Sequence, residues 1–141
     1  MRVIEHQYLH YRNVLVCKIQ FDTNSVTDFL KKIPENLSVL NLNLNGKILM
    51  TCDNFNMEFN IPVNKIFSEN SHYRYKSEFK LVNAVRARHY GSLEKVEETI
   101  KELNRYIREN SLVTITSPYF MVQSVEHEIY DVLIGISENV L

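Results

Sequence analysis

The last strand-forming run of the chain is Asp131-Val132-Leu133-Ile134-Gly135-Ile136, and an earlier run of the same pattern is Glu58-Phe59-Asn60-Ile61-Pro62-Val63. Both begin with an acidic residue followed by mostly apolar residues. The fifth place holds Pro62 or Gly135, two residue types that interrupt regular strands. A pattern that occurs twice, each time after a predicted helix, indicates an internal duplication.

The segment ahead of the first run predicts a strand, a helix and a hairpin. Val14–Phe21 alternates apolar and polar residues, as a half-buried strand does. N-cap candidates at 22–25 predict a helix from about Ser25, with apolar residues at threes and fours up to position 44. Pro34 lies inside that pattern and predicts a kink or two helical pieces. The runs 47–52 and 57–63 flank a polar turn at 53–56 and predict a β-hairpin.

The second half repeats this order of elements. Residues 64–79 are polar with scattered aromatics and predict a connector. Lys80–Arg88 predicts a strand, Ser92 a helix cap, and the runs 119–124 and 129–136 the closing hairpin. The apolar stripe of the helix is Leu93, Val96, Ile100, Leu103 and Ile107. Its opposite face, which we expect to meet water, carries Glu94, Glu97, Glu98, Lys101, Glu102, Arg105 and Arg108.

These elements predict an α+β fold in which duplicated βαββ units form an antiparallel sheet with two helices. Aligning Ser25 with Ser92 and Pro62 with Gly135 gives nearly the same offset, so one duplication accounts for both. The length of 141 residues suits a single domain, 1–141, with half-repeats of about 1–68 and 69–141.

Composition excludes several classes of function. With 16 basic and 17 acidic residues the net charge is -1, so direct binding to nucleic acid or to an anionic membrane is not expected. No apolar run is long enough to span a membrane and the start lacks the apolar core of a signal peptide, which predicts a soluble, cytoplasmic protein. Cys17 and Cys52 stand alone and predict neither a disulfide nor a metal site.

No motif points to a cofactor, a metal ion or a catalytic residue. Nucleophile-elbow, phosphate-loop, zinc-protease and dinucleotide patterns do not occur in the sequence. His6 and His10 are four residues apart, a spacing that could hold a metal on a helix, but residues 7–9 read as an extended entry strand and no third ligand is evident. A basic cluster is interleaved with Tyr73 and Tyr75, and we expect it to be a solvated face. Its members are Arg74, Lys76, Lys80, Arg86 and Arg88.

Two motifs, in this order and spacing, resemble the GyrI-like family of bacterial transcription activator effector-binding domains. One is Ala87-Arg88-His89-Tyr90-Gly91-Ser92-Leu93-Glu94, similar to the family's strand-to-helix turn, and the other is the repeated closing strand. The resemblance implies paired βαββ units with a ligand cleft between them. It also implies a pocket carboxylate at Asp131, where the family usually has Glu. In the turn before the second helix, Ser92 and Leu93 stand where the family usually has Pro and an aromatic residue.

The predicted ligand-binding residues follow from the repeat and from this resemblance. They are Asp131, Glu58, Tyr90, His89, Tyr119 and Phe120. An acidic residue among apolar neighbours requires a partner or a ligand if it faces inward, and is an ordinary surface carboxylate if it faces water. The alternative for the other four residues is a packed turn or plain core.

The leading functional prediction is a stand-alone, non-enzymatic domain that binds a small molecule, lipophilic or cationic, in an aromatic cleft between the half-repeats. On this prediction the domain could also assist transcription regulation, although it has no DNA-binding domain of its own. The alternatives are a protein-interaction module with a degenerate pocket and, last, a small hydrolase. The predicted partner is thus a small molecule or another protein, and the sequence leaves the oligomeric state open.

Overall fold

The computed structural model describes residues 1–20, 23–53 and 56–138. The elements of the first half are β1 (Val3–Gln20), α1 (Thr23–Val39), β2 (Leu49–Asp53) and β3 (Asn56–Pro62). Those of the second half are β4 (Arg74–Tyr90), α2 (Glu97–Glu109), β5 (Leu112–Thr114), β6 (Tyr119–Ser124) and β7 (Ile129–Glu138). A short 3₁₀ turn, Leu93–Lys95, precedes α2.

Within the described residues, seven strands form one antiparallel sheet in the order β4-β1-β3-β2-β6-β7-β5. β4 also pairs with β7, so six of these strands form a closed ring of pairings. β5 lies outside the ring and pairs with β7. Neither helix in this part of the chain is long and apolar enough to cross a membrane.

The pairing of strands shows the internal duplication directly. In each half the first strand pairs with the closing strand, β1 with β3 and β4 with β7. The two halves then join through like strands, β1 with β4 and β2 with β6. Val14 lies opposite Pro62, and Ala84 lies opposite Gly135. The predicted α+β fold of duplicated βαββ units is therefore confirmed.

The two faces of the sheet bury different side chains. The larger core contains residues of both helices, among them Leu30 and Leu103, packed on strand residues such as Phe59. Burying a side chain of this size contributes about 1.5–3 kcal/mol. The smaller core consists of strand residues only, including Leu133. Since side chains alternate along a strand, Asp131 shares the face of Leu133, opposite the helices.

The strands β1 and β4 are longer than the sequence predicts. β1 begins at Val3, not near Val14, and β4 begins at Arg74 inside the predicted connector. The expected extended strand at residues 7–9 is confirmed as part of β1. The rest of these parts was missed because many of their residues are polar. Their backbones are held by each other, with Val16 opposite Arg74 and Tyr11 opposite Phe79. The short strand β5 was also missed.

The helices differ from prediction in smaller ways. α1 is one helix with exposed Pro34 inside it, so the expectation of two pieces is wrong, and it ends at Val39, short of position 44. Ser92 caps the 3₁₀ turn by accepting a hydrogen bond from the Glu94 N–H, and α2 itself begins at Glu97. Of the predicted cap at 22–25 and the predicted hairpin turn at 53–56, residues 22, 54 and 55 lie outside the described residues.

Candidate functional site

Asp131 is a buried carboxylate with protein partners. Its side chain is 1% exposed, and the Arg88 guanidinium pairs with it side-on, through Nε at 2.9 Å and Nη2 at 3.3 Å. Gln123 donates a hydrogen bond to Oδ2 at 2.7 Å, and Arg86 Nη1 lies 3.8 Å from the same oxygen. Both carboxylate oxygens are thus occupied by side chains of the protein, as a buried charge requires.

Asp131, His89 and Tyr90 border one cleft of about 690 Å³, which we name the arginine cleft. Its lining residues are Met1, Arg2, Ile4, Arg86, Ala87, Arg88, His89, Tyr90, Thr99 and Asp131. The structure therefore places three of the six predicted ligand-binding residues at one cleft. Tyr90 is 70% exposed at the border of this cleft.

His89 ties the end of β4 to the helix that follows. Its Nε2 lies 2.9 Å from the carbonyl oxygen of Ser92, and its Nδ1 lies 3.0 Å from Thr99 Oγ1. Because a carbonyl can only accept, Nε2 carries the hydrogen of the bond to Ser92, and Nδ1 has the Thr99 hydroxyl as its hydrogen-bond partner. Both ring nitrogens are engaged, so His89 positions the turn at the wall of the arginine cleft.

Glu58 and Tyr119 lie together on the face opposite the helices, which is also the face of Asp131, but neither lines the arginine cleft. Exposed Arg74 has its Nη2 3.6 Å from Oε1 of Glu58, which is partly buried. The pKa of Tyr119 is raised, first by burial of its hydroxyl and then by the nearby Glu58 carboxylate. The Tyr119 ring also packs edge-on against Phe79, 5.3 Å between centroids.

Phe120 faces the opposite way and lines a cleft of about 560 Å³, which we name the central cleft. Its lining residues are Cys52, Met57, Leu93, Glu94, Val96, Glu97, Ile100, Ser117, Pro118 and Phe120. Cys52 and Met57 come from the first half-repeat and the others from the second. The central cleft therefore lies between the half-repeats, as does the arginine cleft, which Met1, Arg2 and Ile4 of the first half also line.

Two carboxylates, Glu94 and Glu97, border the central cleft, while its walls are mainly apolar. Leu93, Val96 and Phe120 are buried, and both glutamates are exposed. The pKa of the Cys52 thiol is raised, first by burial and then by the Glu97 carboxylate. A cation at this border would meet negative charge and apolar surface together.

Sequence reasoning missed the four charged residues that give the two clefts their character. Glu94 and Glu97 were assigned to the solvent face of the helix, and they are exposed, but the helix start also borders the central cleft. Arg86 and Arg88 were assigned to a solvated face. Their i, i+2 spacing on a strand places them on one side, which was the signal that they could act together.

The described residues contain no group of three side chains placed to bind a metal ion. His10, the second histidine of the spaced pair, lies on β1 with its Nε2 2.9 Å from Glu78 Oε2 of β4.

Solved structures match the chain over nearly its whole length. The C-terminal domain of EcmrR superposes with a TM-score of 0.68 at 14% identity, over 99% of this chain and 100% of that one. The chain has the fold of that domain. EcmrR in its complex with DNA gives a TM-score of 0.71 at 13% identity over 97% of this chain, which spans 58% of that longer chain.

A hydrolase from Listeria innocua gives a TM-score of 0.61 at 12% identity, over 96% of this chain and 90% of that one. No protein-family model and no curated protein matches the chain. At these identities the likeness is one of fold.

Proposed function

We propose that the chain is a small-molecule binding domain that takes lipophilic cations in the central cleft. One observation carries the proposal: an open, mainly apolar cleft of about 560 Å³ between the half-repeats has Glu94 and Glu97 at its border. Cavities of this size suit small organic ligands, and a few polar groups at the border of an apolar cavity set the orientation.

The walls of the central cleft favour an apolar ligand body. Leu93, which stands where related sequences are expected to have an aromatic residue, lines the wall beside Phe120. Met57, from the other half, adds a flexible side chain that adapts to different shapes. Since a leucine is smaller than a tyrosine, the substitution leaves room in the cleft while removing a hydroxyl.

The charge of the cleft favours a cation over an anion. Glu94 and Glu97 are its acidic lining residues, and no lysine or arginine lines it among the described residues. Asp131, the carboxylate expected for this role, is paired with Arg88 in the other cleft. The cation contact in our proposal therefore belongs to Glu94 and Glu97.

Binding suits the cleft better than either alternative. One structure of this fold is that of a hydrolase, but the aromatic side chain among the described lining residues, Phe120, has no hydroxyl to act with a carboxylate. A protein-interaction module with a degenerate pocket predicts a filled cleft, whereas this one is open.

The test uses two probes of one shape: 4-phenylbutyl-trimethylammonium and its uncharged isostere, in which carbon replaces nitrogen. Calorimetry and thermal unfolding of the full chain measure both. We expect the cation to bind more tightly and to raise the melting temperature, since a ligand that binds only the folded state stabilises it. If neither probe binds, the proposal fails; if the isostere binds equally well, the cation preference is wrong.

Glu97→Gln, with Glu98→Gln as the matched control, tests the border of the cleft. Glu98 is the next residue of α2, equally exposed, and does not line the cleft. Losing a partly exposed charge contact of about 0.5–1 kcal/mol weakens binding about 2- to 5-fold. We expect this loss for the cation in Glu97→Gln only. Equal weakening in both variants would point to general surface charge.

A further inference from the structure

The arginine cleft has the opposite charge to the central cleft. Arg2, Arg86 and Arg88 line it with a single carboxylate, Asp131, so its three arginines outnumber the carboxylate by two. The whole chain has a net charge of -1. The positive charge is therefore a local feature of this cleft, which has a volume of about 690 Å³.

Asp131 fixes the orientation of the arginines. Its carboxylate, 1% exposed, holds Arg88 through both Nε and Nη2 and is itself fixed by Gln123. Arg86 approaches the same carboxylate at 3.8 Å. Side chains held in this way lose little conformational freedom when a ligand arrives, which favours affinity.

The side-on pair leaves hydrogen-bond donors of Arg88 for another acceptor. A guanidinium has five N–H groups, and the pair with Asp131 uses those on the edge formed by Nε and Nη2. The side chain is 46% exposed. The Tyr90 hydroxyl, which also contacts this guanidinium, can donate its own hydrogen to a ligand.

We propose that the arginine cleft is a second binding site, for a small molecule that carries an oxyanion, either a phosphate or a carboxylate. The outward donors of Arg88, with Arg86 and Arg2, hold the oxyanion, and exposed Tyr90 borders the rest of the ligand. Arginine suits this role because its planar fork matches the oxygens of both groups.

The test titrates the ¹⁵N-labelled full chain at pH 7 with sodium phosphate and, separately, with sodium malonate. Sodium chloride at matched ionic strength is the reference, and NMR follows the Nε–H signals of Arg86 and Arg88. We expect saturable shifts with a Kd on the order of 1 mM, as two or three charge-assisted hydrogen bonds provide. Saturation by phosphate alone assigns phosphate esters, by malonate alone assigns carboxylates, and by both assigns oxyanions in general.

Arg86→Gln is the decisive variant because Asp131 keeps Arg88 and Gln123 as partners when Arg86 is lost. We expect it to weaken binding about 5-fold or more, and Arg2→Gln to weaken it less. The control is Arg105→Gln, which removes a positive charge from α2, where Arg105 pairs with Glu102 at 3.0 Å. Shifts no larger than with chloride, or equal weakening by Arg105→Gln, would overturn the second site.

Discussion

Glu58 and Asp131 hold matching positions in the two half-repeats, and their surroundings differ. Lys18 lies opposite Glu58 on the neighbouring strand, as Arg88 lies opposite Asp131. Yet Glu58 keeps 23% of its side chain exposed with Arg74 at 3.6 Å, whereas Asp131 is buried with Arg88 at 2.9 Å. The duplication preserved the strand pairing and the order of charges, while burial diverged.

This difference teaches that one strand position can hold an ordinary surface ion pair or organise a buried polar cluster. The energetic roles should differ accordingly. An exposed ion pair contributes about 0–1 kcal/mol, because water screens it. Removing one member of a buried pair costs several times more, because the remaining charge loses its compensation.

The largest effect is expected from Asp131→Asn, compared with Glu58→Gln. Asp131→Asn should lower the free energy of unfolding by about 2–3 kcal/mol, since Arg88 is half-exposed and water recovers part of the lost contact. Glu58→Gln should lower it by about 0.5 kcal/mol or less. Urea unfolding followed by circular dichroism measures both. Equal losses would mean that burial does not separate the two positions.

A second contrast lies on the same strands, between Gly135 and Pro62. A Cβ at Gly135 would come within 2.6 Å of Thr116 Cγ2, and the Gly135 N–H donates to Thr116 Oγ1 at 2.8 Å. Gly135→Ala should therefore cost about 1–3 kcal/mol by overpacking. Pro62→Ala should cost less than about 1 kcal/mol, through the freer unfolded chain.

Thr116→Ser is the control for the close approach at Gly135, because it removes the crowded methyl group and keeps the hydroxyl. In the Thr116→Ser background, Gly135→Ala should cost measurably less in urea unfolding. The hydroxyl, which would lie 2.9 Å from the added Cβ, stays in place. If the cost is unchanged, the clash with the Thr116 methyl group is not its cause.

The elements that could be predicted from the sequence are those whose patterns are local. The apolar stripe of the second helix and the two hairpins were predicted from the spacing of apolar residues that are close in sequence. The structure contains all three. The full length of β1 and the start of β4 could not be predicted, because their polar residues form strands only by pairing with each other. Val3 and Ala87, which lie opposite each other, are far apart in sequence.

The candidate site shows the same limit. The sequence indicated that Asp131, if inward, needs a partner, but not that Arg88 supplies it, since the two meet only through the pairing of β4 with β7. Glu97 could not be placed at a cleft from helix periodicity alone. That periodicity separates the core side of the helix from its water side, whereas a cleft border lies between the two.

The third contrast concerns the strand ends that lead to the helices. Ala84 and Val14 are matching positions of the two half-repeats. Five residues further along each strand stand His89 and Ile19, and Ile19 packs on the apolar core. Thr99→Val should leave His89 Nδ1 without its hydrogen-bond partner and cost about 1 kcal/mol. Thr99→Ser should restore most of the loss in urea unfolding. A serine variant as unstable as the valine variant would mean that the methyl group matters, not the hydrogen bond.

The smallest effect is expected at the exposed seam between the halves, where His10 of β1 meets Glu78 of β4. The hydrogen bond from His10 is the main cause that lowers the pKa of Glu78, with Lys80 second. A carboxyl whose pKa is lowered on folding stabilises the protein above its unfolded pKa and loses that contribution as the pH falls through the folded pKa. His10→Leu should therefore raise the pKa of Glu78 toward its ordinary value and make the loss of stability below about pH 5 shallower.

A ¹³C NMR titration of the Glu78 carboxyl measures this shift in pKa, and Lys80→Gln should change the pKa less than His10→Leu does. The reverse order would show that the charge of Lys80, rather than the bond across the seam, governs Glu78.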